Sequence, residues 1–294
     1  MNFVVGLQRS GTSFTAHLLN ASGKIDCLHE NLIALTCYQL FKAAQAYHEK
    51  RLDASSMKDL IRRYRQRPTI GIDSNFILTF MLPVLIEEYP QAKFLHLTRN
   101  PQDTMRSYFN EFDLYGNIFS QKQFQLEFMN WCVAQNRPWQ YVFVKESHEF
   151  SPRLEIQGWD GLSRFEKICH YWVEGQRLIL EHVSRRPGYL RLPLERLVAD
   201  PSVAAQAMKF FDLPVPDTEK LKRVLDSRVN SSASGPLWAE IRRIKSSLGM
   251  ETLGKPHEWP SHYREAFLRI CGDMASRLGY ELDLAAVDSR SAVG

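Results

Sequence analysis

Two arginines, each followed by small hydroxyl residues, carry most of the chemistry legible in this sequence. The first set is Gly6-Leu7-Gln8-Arg9-Ser10-Gly11-Thr12-Ser13. Two glycines placed five apart, between an apolar strand and a helix start, make a cradle for an anion. The first amides of a helix have no helical acceptor, and the helix dipole adds positive potential there. The spacing follows the ATP-binding pattern G-x-x-x-x-G-K-[ST], but Thr12 stands at the lysine position and the nearest cation, Arg9, precedes the second glycine. The loop is therefore expected to bind phosphate in a different way from an ATP-hydrolysing loop. The second set is Arg99-Asn100-Pro101-Gln102-Asp103-Thr104-Met105-Arg106-Ser107. Arg99 closes a predicted strand and Ser107 lies about two turns into the next helix. A guanidinium fork with a hydroxyl suits a terminal phosphate monoester. A helix-capping turn with a solvated arginine is the alternative for the same residues.

The elements that must position these sets alternate along the chain. Phe3–Val5 reads as a strand, and Thr15–Leu19 continues the helix that the loop opens. Lys24–Leu28 is extended, and helical patterns cover Leu32–Lys50 and Ser56–Arg67 before Pro68. Thr69–Asp73 reads as a buried strand, Phe76–Tyr89 as a helix, Ala92–Thr98 as the clearest strand, and Pro101–Phe112 as a helix capped by Asn100. This rhythm predicts an α/β protein with a parallel sheet and right-handed crossovers, its ligand at the carboxyl ends of the strands. Further on, Tyr141–Val144 and Tyr189–Leu192 read as strands. Ser163–Ser184, Val203–Phe211, Thr218–Leu225 and two final helices ending at Leu278-Gly279-Tyr280 are predicted, and Arg228–Pro236 reads as a loop. Phe124, Phe128 and Trp131 recur at helical spacing, which favours core over a substrate box. No repeat or linker interrupts the chain, so one domain over 1–294 is expected.

Composition narrows the function classes. The 294 residues are enough to bury a sizeable core, and 44% hydrophobic with 24% charged residues is ordinary for a globular protein. A net charge of +4 without a dense Lys/Arg stripe is no nucleic-acid footprint. Cys27, Cys37, Cys132, Cys169 and Cys271 are odd in number and widely spaced, without C-x-x-C, which implies free thiols, a reducing compartment and no zinc site. Met1 leads directly into the first strand and no apolar run is long enough to span a bilayer, so the expected location is cytoplasmic.

Taken together the motifs resemble a known family. GLQRSGTS resembles the 5′-phosphosulfate loop of sulfotransferases, close to P-[KR]-S-G-[TS]-[TS]. YPQAKFLHLTRNPQDTMRSYF resembles their 3′-phosphate motif, Arg-(Asn/Asp)-Pro with a serine eight residues after the arginine. LPLERLVADP and ICGDMASRLGY resemble a later Glu-x-Leu-x-x-x-Pro segment and a C-terminal helix ending in Leu-Gly-Tyr. The order is preserved over nearly the whole chain. The resemblance is to carbohydrate, tyrosylprotein and bacterial sulfotransferases more than to the phenol and steroid enzymes. It implies a P-loop NTPase-like parallel sheet flanked by helices, with largely helical additions, and the donor 3′-phosphoadenosine 5′-phosphosulfate.

The resemblance also implies roles. Arg9 and the backbone N–H groups of Ser10, Gly11, Thr12 and Ser13 would stabilise charge on the departing 5′-phosphate, with the Thr12 and Ser13 hydroxyls on the same group. Arg99 and Ser107 would hold the 3′-phosphate, with Ser231 in a loop closing over it. Glu30 would be the base that takes the acceptor's proton, its pKa raised by burial. Glu30 also suits a helix cap, and His29 is the rival base, facing the opposite way by strand alternation. Sulfuryl transfer from this donor needs no metal bridging two phosphates, so none is expected. The acceptor would be a small-molecule, glycan or lipid hydroxyl, with no nucleic acid and no membrane span.

Some positions depart from the family pattern. Many relatives carry a lysine just after the second predicted strand, where this chain reads Asp73-Ser74-Asn75, so Arg9 acts alone or Lys145 or Arg106 supplies the cation. Leu194 replaces a tyrosine common before Glu-x-Leu. Asp73 would be the metal-binding acid of a small-molecule P-loop kinase using ATP and magnesium, or simply a strand-terminal cap. The alternatives to a sulfotransferase are thus that kinase, or a catalytically inactive nucleotide-binding protein of the same fold.

Overall fold

The computed structural model describes residues 1–28, 43, 46–47, 50–65, 70–111, 122–137, 156–227 and 236–282. The predicted helix at Leu32–Lys50 (but for a few residues), the strand at Tyr141–Val144 and the loop at Arg228–Pro236 (all but Pro236) lie outside these residues. The chain divides into two compact units, one of 1–99, 149–153 and 175–239, the other of 100–148, 154–174 and 240–294.

The first unit holds the sheet. Its five strands are β1 (Asn2–Val5), β2 (Asp26–Leu28), β3 (Ile70–Ser74), β4 (Phe94–Thr98) and β5 (Tyr189–Pro193). All pairings are parallel and the order is β2-β3-β1-β4-β5, with β1 central. Phe3 pairs with Asp73 on one side and Phe94 on the other, and Thr98 pairs with Pro193. The strand ends Val5, Leu28, Ser74, Thr98 and Pro193 therefore share one border of the sheet. With a glycine turn and a helix following the central strand, this is the P-loop NTPase-like α/β fold expected from the sequence.

Helix α1 (Thr12–Asn20) follows β1 directly and buries Phe14, Ala16, Leu18 and Leu19 against Val4, Ile72, Leu95 and Leu192 of the sheet. That core continues through Val203, Ala204, Ala207 and Met208. Helix α2 (Ala54–Arg65) begins two residues before its predicted start, because Asp53 caps it: the Ser56 N–H and hydroxyl donate to the two Asp53 carboxylate oxygens at 2.9 and 2.8 Å. The single helix expected over Phe76–Tyr89 is instead a 3-10 turn, Phe76–Met81, followed by α3 (Leu82–Glu88). Pro83 has no N–H to continue the preceding ladder, so the backbone restarts there with Pro83 in the first turn.

The second unit contains no strand among its described residues. It includes α4 (Pro101–Glu111), α5 (Lys122–Ala134), the first half of α6 (Arg164–Val183) and α11 (Ser261–Arg277). Asn100 caps α4 as expected, its side-chain oxygen accepting from the Gln102 N–H at 2.9 Å. Ser163 and Glu166 form a reciprocal capping pair at the start of α6, since the Ser163 N–H donates to Glu166 at 3.0 Å and the Glu166 N–H to the Ser163 hydroxyl at 3.3 Å. Phe109, Phe165, Trp259, Tyr263 and Phe267 pack edge-to-face or tilted, with centroids 4.6 to 6.1 Å apart. Phe124 and Phe128 are buried and stacked, so the aromatic stripe is core.

The first unit also contains α7 (Leu194–Ala199), α8 (Pro201–Phe210) and α9 (Thr218–Asp226), and α10 (Pro236–Ser247) runs from it into the second. Cys27, Cys132, Cys169 and Cys271 are buried free thiols. Among the described residues no helix is long and apolar enough to cross a membrane.

Candidate active site

The site is built around the chain between β1 and α1. Gly6 must be glycine, because a Cβ there would lie 2.6 Å from the Ser10 hydroxyl and 2.9 Å from the Leu97 carbonyl oxygen of the neighbouring strand. The turn then folds on itself: the Ser10 N–H and hydroxyl both donate to the Leu7 carbonyl, at 3.1 and 2.6 Å. Arg9 sits in the left-handed region at φ 65°, and Gly11, the residue before α1, at φ 98°. For Arg9 this costs on the order of 1–2 kcal/mol, which the surroundings must offset. No side chain caps α1. Thr15 returns both its N–H (2.9 Å) and its hydroxyl (3.0 Å) to the Gly11 carbonyl, which closes the first turn. Among the described residues no acceptor faces the N–H groups of Gly11, Thr12 and Ser13. Free helix amides together with the dipole of α1 are the arrangement that generally favours an anion.

Three side chains from other strand ends reach this loop. Arg99, immediately after β4, donates through Nη1 to the Arg9 carbonyl at 2.9 Å. Ser74, the last residue of β3, donates its hydroxyl to the Thr12 carbonyl at 2.8 Å. Thr79, in the 3-10 turn, donates to the Gly6 carbonyl at 3.0 Å. Ser74 and Thr79 are fully buried. Leu194 lies against Gly11, where a Cβ would approach its Cδ1 to 2.4 Å.

Two buried polar features lie nearby in the sheet. Asp73 is fully buried in β3. Burial, with the Asp73 charge second, pushes the Cys27 thiol far above its ordinary range, so Cys27 is inert as a nucleophile. His96 in β4 bonds through Nδ1 to the Tyr189 hydroxyl at 2.9 Å and through Nε2 to Gln176 Oε1 at 2.8 Å. Burial holds it at about 3, well below its ordinary value, so the ring is neutral, and a Gln oxygen at Nε2 assigns that nitrogen the proton. Asn20, at the end of α1, pairs with Cys27 in both directions, donating to its carbonyl at 2.9 Å and accepting its N–H at 2.6 Å.

Of the residues expected from the sequence, Arg9, Ser10, Gly11, Thr12, Ser13 and Arg99 come together here. The Ser10 N–H, expected on the ligand, is used inside the loop, so Ser10 shapes the turn. Ser107 is half-buried on α4, in the second unit. Arg106 pairs with Asp103 of its own helix at 3.2 Å. Glu30, His29, Ser231 and Lys145 lie outside the described residues. Sequence reasoning did not assign Ser74 and Thr79 to the loop. The available signal was Thr79 as the lone hydroxyl in the apolar run Phe76-Ile77-Leu78-Thr79-Phe80-Met81, because a buried hydroxyl needs a partner. Among the described residues no group of three or more His, Cys, Asp or Glu is arranged to hold a metal ion.

Comparison with known proteins places these observations. The model of a family described as the sulfotransferase family matches residues 3–154, a range that holds both arginine motifs. The sulfotransferase domain from the curacin biosynthetic pathway is 14% identical, with a TM-score of 0.40, over 86% of this chain and 98% of that one. The sulfotransferase domain from the Synechococcus PCC 7002 olefin synthase is 16% identical, with a TM-score of 0.42, over 96% of this chain and 95% of that one. No curated protein matches the sequence.

Proposed function

The chain belongs to the sulfotransferase family, and from that premise we propose that it moves a sulfuryl group from 3′-phosphoadenosine 5′-phosphosulfate to a hydroxyl of a small molecule, glycan or lipid. One observation carries the reading. The two motifs that would hold the donor's two phosphate groups, far apart in sequence, meet where Arg99 donates to the Arg9 carbonyl at 2.9 Å. A kinase loop needs its lysine on the terminal phosphates. Here Thr12 occupies that position, and the cations present are arginines at the loop and beside it.

In the proposed reaction the acceptor oxygen bonds to sulfur in line as the sulfur–oxygen bond to the 5′-phosphate breaks, leaving adenosine 3′,5′-bisphosphate. The N–H groups of Gly11, Thr12 and Ser13, with the hydroxyls of Thr12 and Ser13, bind the 5′-phosphate. Arg9 stabilises the charge that grows on its bridging oxygen, and such a donor is typically worth about 10²–10³ in rate. Arg99, with Ser107 and Ser231, takes the 3′-phosphate. Glu30 follows β2 by two residues and accepts the acceptor's proton.

Calorimetric titration tests this, using adenosine 3′,5′-bisphosphate and ATP, each with and without magnesium. The expected result is metal-independent binding of the bisphosphate, weakened at least about tenfold by Arg99→Ala, since a charged hydrogen bond is worth about 1.5–3 kcal/mol. Glu30→Gln should keep that binding and lose transfer of labelled sulfate. Magnesium-dependent ATP binding in place of the bisphosphate overturns the reading.

A further inference from the structure

Backbone carbonyls are the hazard of a loop that binds phosphate through its amides. A peptide unit is planar and trans, so its C=O and N–H point in opposite directions, and a flipped unit presents negative charge to the ligand instead of a donor. In this loop Gly6, Leu7, Arg9, Gly11 and Thr12 all have their carbonyls held by protein donors: Thr79, Ser10, Arg99, Thr15 and Ser74 respectively. Ser10 and Thr15 are local to the turn and helix. Ser74 and Thr79 come from the β3 side, reach across the fold, and have no exposure to solvent.

We propose that Ser74 and Thr79 are positioning residues for donor binding, two buried hydroxyls that fix the loop's peptide planes before the anion arrives. This rests on the donor-site reading above. The Thr12 carbonyl belongs to the first turn of α1, and the Ser74 hydroxyl adds a second donor to it, holding the Thr12–Ser13 peptide with the Ser13 N–H on its opposite side. The Thr79 hydroxyl on the Gly6 carbonyl sets the Gly6–Leu7 peptide, where the chain leaves β1. The Ser74 hydroxyl is spent on the Thr12 carbonyl, so it acts on the loop through the backbone. Preorganisation of this kind lowers the cost of ordering the loop on binding.

The test uses the full chain with Ser74→Ala, Thr79→Val and the conservative Ser74→Thr and Thr79→Ser. Adenosine 3′,5′-bisphosphate affinity is measured by calorimetry, kcat and KM with labelled donor, and the thermal midpoint without ligand. Ser74→Ala and Thr79→Val should each weaken bisphosphate binding and raise the donor KM about tenfold, with kcat changed less than about threefold and the acceptor KM unmoved. Thr79→Ser and Ser74→Thr should recover most of the affinity. Lower midpoints with bisphosphate affinity equal to the wild type would overturn the proposal, because the hydroxyls would then be structural only. If Thr79→Val does not fold, the Ser74 pair decides in the same way. A wild-type protein that fails to bind the bisphosphate sinks the donor-site reading together with this one, whereas binding that the variants leave intact sinks only this one.

Discussion

Substituting Gly11 by alanine separates two demands that the loop between β1 and α1 makes on one residue. The backbone at Gly11 has φ 98°, well beyond the left-handed basin that L-residues tolerate. Adopting it with a Cβ costs about 1–2 kcal/mol or more. The new methyl would also lie 2.4 Å from Leu194 Cδ1 and 3.0 Å from Cδ2. Leu194 packs against the core of the first unit, so moving it costs about 1–3 kcal/mol as an overpacking term. The combined loss of about 2–5 kcal/mol is a large part of an ordinary domain's stability. Urea unfolding would read it directly. Leu194→Ala in the Gly11→Ala background removes the clash but leaves the backbone term, so the double-mutant cycle should show a coupling of about 1–3 kcal/mol. The amides of Thr12 and Ser13 follow Gly11 directly, so bisphosphate affinity should fall as well. A Gly11→Ala protein within about 0.5 kcal/mol of the wild type refutes the left-handed assignment. A coupling near zero refutes the Leu194 contact.

Two further perturbations reach the elements behind the loop. His96 is held neutral by burial, at about 3, while the unfolded chain takes up a proton near 6.5. Its contribution is therefore complete above about pH 6.5 and is lost as pH falls toward 3, at up to about 1.4 kcal/mol per pH unit. Urea midpoints measured from pH 7 to 4 should fall less steeply in His96→Gln, and an unchanged slope would remove His96 from the account. Asn20→Ala leaves the Cys27 N–H and carbonyl without their side-chain partner, at about 1–3 kcal/mol. Hydrogen exchange at Cys27 and Leu28 should speed up in that variant, and unchanged protection would show that the pair does not hold β2.

What was legible in the sequence follows from how local each determinant is. The turn between β1 and α1 could be read because two glycines and a helix start define it within a few residues, and the register of the sheet then put Arg99 beside it. Asp53 moved the start of α2 by two residues, a capping effect weaker than the apolar pattern that set the prediction. Helix α7 was missed because it is short: between Pro193 and the Asp200 cap of α8, the helical spacing of Leu194, Leu197 and Val198 has under two turns in which to show. Ser74 read as a departure from the family, since its partner, Thr12, belongs to another strand connection. Thr79 and His96 have the same difficulty: a buried polar side chain announces that a partner exists, and only the fold says which one.

The position of β1 has a consequence for how the molecule is made. Phe3 lies in the middle strand, yet its neighbours are Asp73 and Phe94, and one of the two outer strands begins only at Tyr189. Parallel pairing of this kind closes long loops before any contact rewards it, so folding is expected to be slow. At about 5–20 residues per second, the ribosome takes several seconds to deliver β3, the first partner of β1, after β1 has emerged. For that interval Phe3, Val4 and Val5 form an apolar segment whose nearest sheet partner is still to come, so the strand that ends up most enclosed waits longest for cover.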